Sequence, residues 1–490
     1  MINKLKSLAS DTMIYGMSTI VGRFLTFMLT PIYSNYIKGT EYGDVIYIFS
    51  IIAFLNIIYS FGMDSAFFRF YKKDDKFEIK KVFSLSYLTI TIISFLISGL
   101  ALIFSKSIAP SFTNLSNGAE LICIGAMIPF LDAVMIVPYS YLRMTRRAKR
   151  FAFTKFFLII IAVTFNVIFV IILRMGAKGV LYAQLMANIV GALIFIPMIA
   201  KHLTFRFNRK LLKEMLRFGV PTLPATMSAM ILQIADRPIL KALTNSETVA
   251  MYTINYRLGI PMLLLVSVFE YAWKPFYLSN FEEKDAKELF SRVLTYFTLA
   301  CAGVFLITGF FIEFIVRMPF VGGKFINPTY WSGMGIIPII LGGYYFNGVY
   351  NNFAAGFHIN KKTEYLPIAI GIAALSNIGL NFLLIPLWGY WGAAWATLGA
   401  YFLSAVILYK FVGKIYPNKY EWKRIFILIS ATIIIYGLTI YLTGTMPLKI
   451  SFAIRCGALI IFVISIWGMG FFNPGEIKGI KSLLKFKIKN

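Results

Sequence analysis

Apolar residues dominate the chain in fourteen separate runs, which short polar connections divide. The hydrocarbon core of a bilayer is about 30 Å thick, so roughly 20 apolar residues in an α-helix cross it. The runs cover residues 12–36, 44–68, 82–105, 119–142, 154–173, 179–200, 220–243, 249–272, 290–312, 334–357, 366–385, 391–412, 425–443 and 450–472. The pattern therefore predicts about fourteen transmembrane helices.

The polar connections between these runs are short, about 20 residues at most. The first run is longer than the apolar region of a cleavable signal peptide, so we expect it to remain as a membrane span. With no sizeable domain outside the membrane, the protein is expected to act within the bilayer.

The stretch Phe218–Leu240 reads FGVPTLPATMSAMILQIADRPIL and carries Asp236 and Arg237 near its far end. A charge at the centre of a membrane helix costs roughly 2.5–3.5 kcal/mol on insertion scales. The two residues therefore indicate either a protein-lined, aqueous cavity or a local ion pair near the outer interface. The basic segment Arg206–Arg217 lies directly before this stretch and indicates that the stretch begins at the cytoplasmic surface.

The composition supports an all-α polytopic membrane protein, since 59% of the residues are hydrophobic and 14% are charged. Soluble domains carry about 25% charged residues. Cys123, Cys301 and Cys456 lie far apart within apolar runs, which fits neither a metal site nor a disulfide framework. We expect no metal and no cofactor.

The formal net charge is +27, and its placement indicates membrane topology. With the amino terminus in the cytoplasm, 36 of the 48 Lys and Arg residues fall in inside segments, 9 fall outside and 3 fall within spans. This bias follows the positive-inside rule and predicts that both termini are cytoplasmic. The basic residues then face anionic membrane lipids, and we expect no nucleic-acid partner.

The chain resembles itself at a shift of about 210 residues. The segment Gly176–Ala183 corresponds to Gly389–Ala396 at a shift of 213, and Pro31 corresponds to Pro238 at a shift of 207. A period of this kind indicates an internal repeat of six helices. Six is an even number, so both halves begin in the cytoplasm and form a parallel repeat.

The repeat divides the chain into three predicted units. Residues 1–206 form a six-helix lobe, residues 207–424 a second six-helix lobe with a leading amphipathic helix, and residues 425–490 two extra helices with a basic tail. Transporters built from such repeats bind substrate between the halves and expose it alternately to each side.

Four features carry a resemblance to a known family: the basic helix leading into Phe218–Pro221, the pair Asp236–Arg237, Tyr252, and the turn Lys38–Gly43. With them the chain resembles the multidrug/oligosaccharidyl-lipid/polysaccharide (MOP) flippase superfamily, and more narrowly its polysaccharide flippases. The resemblance implies a multi-pass protein of the bacterial cytoplasmic (inner) membrane. It would move a polyprenyl-diphosphate-linked oligosaccharide from the inner to the outer leaflet for polysaccharide export, such as O-antigen or capsule.

Arginines within the spans are the candidate substrate contacts. Arg23, Arg237 and Arg257 are predicted to line a cavity, where charge-assisted hydrogen bonds replace water around a diphosphate. Lipid II flippases of the superfamily carry cavity arginines on the first, second and eighth spans, and Arg23 and Arg257 match that placement. Asn56 and Asn255 are candidate hydrogen-bonding partners for sugar.

Three acidic residues are candidates either for ion coupling with H⁺ or Na⁺ or for ion pairing with an arginine. They are Asp64, Asp132 and Asp236. Arg69 follows Asp64 closely, so we favour pairing there. Asp132 has no basic residue within four positions and is the better candidate for a coupling site.

Two other functions remain open at this stage. One is a cation-coupled exporter of small molecules or drugs from the same superfamily; the other, less favoured, is a membrane polysaccharide polymerase or ligase. Nothing in the sequence resembles a nucleophile–base pair or a phosphate-binding glycine loop, so we expect a non-enzyme.

Overall fold

The structure is a computed structural model that describes residues 16–17, 19–71, 75–113, 117–204 and 207–472. Residues 12–15 of the first predicted run and the predicted cytoplasmic ends of the chain lie outside the described residues. Residues 19–27 are helical. The helices of the first half are α1 Leu29–Tyr36, α2 Gly39–Ser60, α3 Met63–Phe70, α4 Lys76–Ile103, α5 Ser105–Phe112, α6 Gly118–Met144, α7 Ala148–Asn166 with a π-helical end Val167–Ile172, and α8 Gly176–His202.

The second half is also mainly helical. Its elements are α9 Arg209–Gly219, a 3₁₀ turn Val220–Thr222, α10 Leu223–Ile234, α11 Asp236–Leu243, α12 Ser246–Arg257, α13 Ile260–Asn280, α14 Ala286–Arg317, a short hairpin β1 Pro319–Phe320 and β2 Gly323–Lys324, a 3₁₀ helix Pro328–Ile336, α15 Ile337–Ile359, α16 Tyr365–Trp388, α17 Tyr390–Ile415, α18 Trp422–Thr443 and α19 Leu448–Gly468. The predicted all-α polytopic fold is confirmed.

Each of the fourteen predicted apolar runs coincides with a helix or a helix pair in the described part of the chain. Eleven helical stretches are long and apolar enough to cross a bilayer, and the bent pair α12–α13 makes twelve. The other two are the first run, which is described only in part, and α15. Glycine, tyrosine and asparagine residues lower the mean hydropathy of α15, which is 23 residues long.

The seventh and eighth spans are broken, although each coincides with one continuous apolar run in the sequence. The seventh breaks at Ala235, between α10 and α11, and the eighth bends by 53° between α12 and α13. Proline has no N–H to donate to the residue four positions earlier. Pro238 and Pro261 therefore leave the carbonyl groups of Ile234 and Arg257 without their helical donors, and each break falls close to these positions.

Two glycines that correspond in the predicted repeat share a backbone feature. Gly176, the first residue of α8, and Gly389, which directly precedes α17, have φ values of +57° and +55°. Glycine adopts this left-handed region at no steric cost. A Cβ atom on Gly179 would lie 3.1 Å from the backbone of the preceding helical segment, and one on Gly392 would lie 2.2 Å from it. The two matched segments therefore make the same tight turn for the same reason.

The two halves meet at both ends of α2. At its first turn, a Cβ atom on Gly43 would lie 1.7 Å from the carbonyl oxygen of Ser246. Just beyond its other end, a Cβ atom on Gly62 would lie 2.1 Å from the carbonyl oxygen of Gly219. Only glycine permits these backbone approaches. The halves are thus closed on each other at two levels, with cavities between them.

The last two helices, α18 and α19, pack on α14 rather than on the interface between the halves. Leu306 and Phe310 of α14 form a buried apolar cluster with Leu428 of α18 and Phe462 of α19. This packing keeps the two additional helices outside the central region.

Candidate binding cavities

A central cavity of about 550 Å³ lies between helices of the two halves. Its charged lining residues are Asp132, Lys155, Arg237 and Arg257. Three cations against one anion give the cavity an excess of positive charge. Such a lining suits an anionic ligand because fixed cations replace the water that surrounds it.

Arg257 ends α12 at the bend and points into the central cavity. Its one hydrogen bond to a described residue joins Nη1 to the Thr30 hydroxyl over 3.5 Å. No carboxylate in the described part of the chain pairs with it. Most of its donors are therefore available to a ligand.

Arg237 is also at the cavity, but its charge is partly compensated. Its Nη1 donates to Asp236 Oδ1 over 2.7 Å and to the Gln233 carbonyl oxygen over 2.6 Å. Its guanidinium carbon lies 4.4 Å from the ring centroid of Tyr256, a cation–π distance. The side chain is 10% exposed. It is thus fixed in place before any ligand arrives.

Asp236 is the structural partner of Arg237. Besides the arginine, it accepts hydrogen bonds from the Tyr252 hydroxyl over 2.5 Å and from the Thr397 hydroxyl over 3.4 Å. Its carboxylate is almost fully buried. Both oxygens are therefore engaged, and in this conformation Asp236 acts as the local ion-pair partner that the sequence left open as an alternative.

Asp132 lines the central cavity at the centre of an amide network. Asn188 donates to its Oδ1 over 2.9 Å, and Asn56 donates to its Oδ2 over 3.2 Å. Gln184 in turn donates to Asn188 over 2.9 Å. Neutral amides, not a basic residue, therefore hold the carboxylate. Asn56 is engaged with Asp132 and lines a further cavity of about 440 Å³.

Lys155 is a cavity cation that sequence reasoning missed, because it was counted with the cytoplasmic basic residues. It lines both the central cavity and the further cavity with Asn56. Its ammonium lies over the rings of Tyr139 and Phe151, at 5.0 and 5.6 Å from their centroids. It forms no ion pair with any described residue. The signal was its place on α7, directly before the apolar segment 156–163.

Arg23 lies in a different cavity from Arg237 and Arg257. This cavity, of about 440 Å³, is hereafter the tyrosine cavity because Tyr256, Tyr344, Tyr350 and Tyr401 line it. There Arg23 donates to the Ser267 hydroxyl. The structure therefore places two of the three predicted arginines in the central cavity and the third in the neighbouring tyrosine cavity.

Glu270 also lines the tyrosine cavity and was not among the predicted site residues. It lies on α13, inside the predicted run 249–272, so a lone acid within a span was the available signal. With Arg23 and Glu270, the tyrosine cavity contains one cation and one anion.

Asn255 reaches neither of these cavities, contrary to its predicted role as a sugar contact. It is fully buried, and its Nδ2 donates to the carbonyl oxygens of Met251 and Tyr330, each over 2.9 Å. The side chain therefore fixes α12 to the 3₁₀ helix Pro328–Ile336. Its position two residues before Arg257 turns it to another face of the helix.

The favoured pairing of Asp64 with Arg69 is wrong for this structure. Asp64 forms no ion pair in the part of the chain that the structure describes, and it lines the cavity with Asn56 and Lys155. Both residues lie on α3. Five positions on an α-helix correspond to about 140° of rotation, so the two side chains point in different directions.

Two further ionic clusters lie away from the cavities. Arg455 of α19 is a buried arginine that the sequence assigned to an outer helix end. It donates to Glu313 and to the Phe310 carbonyl oxygen, and so ties α19 to α14. Near the close approach of Gly43, buried Asp44 binds Lys241 across the two halves. We regard both as structural contacts.

The fold and cavities define the class of protein: a polytopic membrane protein with the fold of the MOP-superfamily transporters. A structure titled lipid II flippase MurJ, inward closed conformation, superposes with a TM-score of 0.76 at 18% identity, covering 92% of this chain and 98% of the other. A multidrug resistance MATE family transporter of the MOP superfamily, in an inward-facing conformation, gives a TM-score of 0.61 at 15% identity, with coverages of 83% and 96%.

Sequence comparison identifies the family. A model of the family described as polysaccharide biosynthesis protein matches residues 8–281. The chain belongs to this family. An uncharacterized membrane protein of Methanocaldococcus jannaschii is 23% identical over 496 residues, which cover 94% of each chain.

Proposed function

We propose that this protein is a flippase that moves a polyprenyl-diphosphate-linked oligosaccharide from the inner to the outer leaflet of the cytoplasmic membrane. The observation that carries the proposal is the placement of Arg257. It is a cation without a carboxylate partner among the described residues, and it faces a cavity between the two halves of the fold. Family membership and the fold shared with transporters are consistent with it.

The cations proposed to contact the diphosphate differ in whether a carboxylate already pairs with them. Arg257 and Lys155 would bind the diphosphate directly, since neither has an ion-pair partner among the described residues. Arg237, held by Asp236, would add a preorganised guanidinium beside them. A preorganised donor loses little conformational entropy when a ligand binds.

Transport would follow from rocking of residues 1–206 against residues 207–424, with both termini in the cytoplasm. The contacts of Gly43 with Ser246 and of Gly62 with Gly219 would open in turn. Asp132 is the proposed site for a coupling H⁺ or Na⁺, because its carboxylate is held by amides alone at the edge of the central cavity. The basic face of α9 would contact anionic lipid headgroups.

A cation-coupled drug exporter is the competing function. The charge of the central cavity distinguishes it from the proposed flippase. The central cavity has three cations against one anion, which disfavours a cationic drug. The polymerase and ligase alternative has no supporting observation among the cavity residues. We therefore propose that the protein is not an enzyme.

The proposal is tested in cells that depend on this protein for a surface polysaccharide. Arg257→Ala should abolish or strongly reduce the polymer at the surface while carrier-linked repeat units accumulate inside. The amount of inserted protein, measured by immunoblotting of membranes, should stay unchanged. Normal polymer export by Arg257→Ala would contradict the proposal.

A further inference from the structure

We propose that the tyrosine cavity is the saccharide subsite, separate from the diphosphate subsite in the central cavity. The inference rests on the proposed function and assigns a different part of the same ligand to each cavity. Its starting observation is a difference in lining chemistry between two neighbouring cavities of similar size, about 550 and 440 Å³.

Neutral polar groups dominate the tyrosine cavity. Four tyrosines, two asparagines, one glutamine and two serines are among its seventeen lining residues: Tyr256, Tyr344, Tyr350, Tyr401, Asn347, Asn351, Gln233, Ser267 and Ser404. Its single cation and single anion, Arg23 and Glu270, balance in formal charge. A sugar presents hydroxyl groups and an apolar ring face, and this lining offers both hydrogen-bonding partners and aromatic surfaces.

Asn347 and Asn351 are the clearest candidates for sugar contacts. They lie four residues apart on α15, so they face the same side of the helix, and both line the tyrosine cavity. Their side-chain amides have no hydrogen-bond partner among the described residues. Each amide offers two donors and an acceptor, which matches the paired donor and acceptor character of a sugar hydroxyl.

Arg237 and Tyr256 connect the two subsites. Arg237 lines the central cavity, Tyr256 lines the tyrosine cavity, and the guanidinium carbon of Arg237 lies 4.4 Å from the Tyr256 ring centroid. Ile234 lines both cavities. In the proposed ligand, the first sugar is bonded directly to the diphosphate. A saccharide subsite must therefore adjoin the phosphate subsite, as the tyrosine cavity does.

Glu270 gives the subsite a chemical preference. Its carboxylate accepts hydrogen bonds from hydroxyl and amide groups, and because it balances Arg23 the lining has no excess positive charge to compensate an acidic sugar. The first sugar is therefore expected to be neutral, with hydroxyl or acetamido groups.

The test compares two probes on the full-length protein in detergent micelles. One is undecaprenyl diphosphate; the other is the same lipid carrying a single N-acetylglucosamine. The wild-type protein should bind the sugar-bearing probe at least about tenfold more tightly. Asn351→Leu should lose about two- to tenfold of that advantage, as expected for one neutral hydrogen bond, and keep its affinity for undecaprenyl diphosphate.

Three further variants keep the result interpretable. Tyr350→Phe removes one hydroxyl and serves if Asn351→Leu does not fold. Tyr441→Phe removes the hydroxyl of an exposed tyrosine on α18, outside both cavities, and should leave both affinities unchanged. Arg257→Gln should weaken both probes equally.

The outcomes of this test distinguish failure of the saccharide-subsite proposal from failure of the flippase proposal. If the wild-type protein binds both probes equally, or if Asn351→Leu and Tyr350→Phe retain its full preference, the saccharide subsite is wrong. The flippase proposal survives that result as long as Arg257→Gln loses affinity. If neither probe binds the wild-type protein, both proposals fail.

Discussion

Arg237 makes a cation–π contact with Tyr256, with its guanidinium carbon 4.4 Å from the ring centroid, and this pair lies where the two main cavities adjoin. Its Nη1 also donates to Asp236 Oδ1, so an aromatic ring and a carboxylate together hold the arginine. Asp236 and Arg237 directly follow the break at Ala235.

The ion pair between Asp236 and Arg237 should contribute strongly to stability. Asp236→Asn leaves Arg237 buried without its counter-charge, and breaking a buried pair costs about 3–5 kcal/mol. The melting temperature of the purified protein should fall clearly. Glu288→Gln, in the exposed pair with Arg292, should change it little, because exposed pairs contribute about 0–1 kcal/mol. Equal melting temperatures for Asp236→Asn and wild type would contradict this role.

The approach of Gly62 to Gly219 should be required for the closed conformation. A Cβ atom on Gly219 would lie 2.5 Å from the Gly62 carbonyl oxygen, so Gly219→Ala should force α3 and α9 apart. The distance between spin labels at Arg69 and Lys213 should lengthen. Gly379→Ala, whose added Cβ atom would meet open space, should leave the distribution of spin-label distances unchanged.

A distance distribution unaltered by Gly219→Ala would show that this contact does not define the closed state.

The sequence also predicts which ends of the helices face outwards. Thr329 and Arg147 are exposed and lie in connections assigned to opposite sides. With the three native cysteines replaced, a membrane-impermeant maleimide should label Thr329→Cys in intact cells. Arg147→Cys should react only after the membrane is opened. The reverse pattern would overturn the proposed orientation.

Lys155 should contribute directly to phosphate affinity. Lys155→Met removes a cavity ammonium, and a hydrogen bond to a charged group is worth about 1.5–3 kcal/mol, roughly ten- to more than a hundredfold in affinity. Titration with undecaprenyl diphosphate should show this loss. Lys149→Met is the matched control, since Lys149 lies on the same helix but is exposed. If the two variants bind alike, Lys155 is not a phosphate contact.

Apolar run length and the positions of Lys and Arg were enough to predict the helices, because a bilayer imposes one span length on all of them. The repeat was readable from the sequence because Gly176 and Gly389 occupy backbone conformations that favour glycine. Breaks within spans were harder to predict. Proline indicates where a helix is able to break, but packing decides whether it does.

The site was predictable only as far as charge within a span reveals it. Arg237 and Arg257 stood out for that reason, and both line the central cavity. Lys155 was hidden because a lysine close to the predicted inner end of a span resembles a topology signal. Asn255 was misassigned because a polar residue in a span has two possible partners, a ligand or a neighbouring backbone, and sequence does not specify the direction of its side chain.

The central claim is that Arg257 binds the diphosphate during transport, and reconstituted flipping tests it most directly. Liposomes carrying the purified protein are loaded with a fluorescent undecaprenyl-diphosphate sugar, and the fraction that crosses the bilayer is measured by quenching from outside. Wild type and the exposed-site control Lys362→Ala should accelerate crossing equally. Arg257→Ala should fall to the protein-free rate, and Arg257→Lys should recover only part of the activity because lysine lacks the planar fork. Crossing at the wild-type rate with Arg257→Ala would contradict the account.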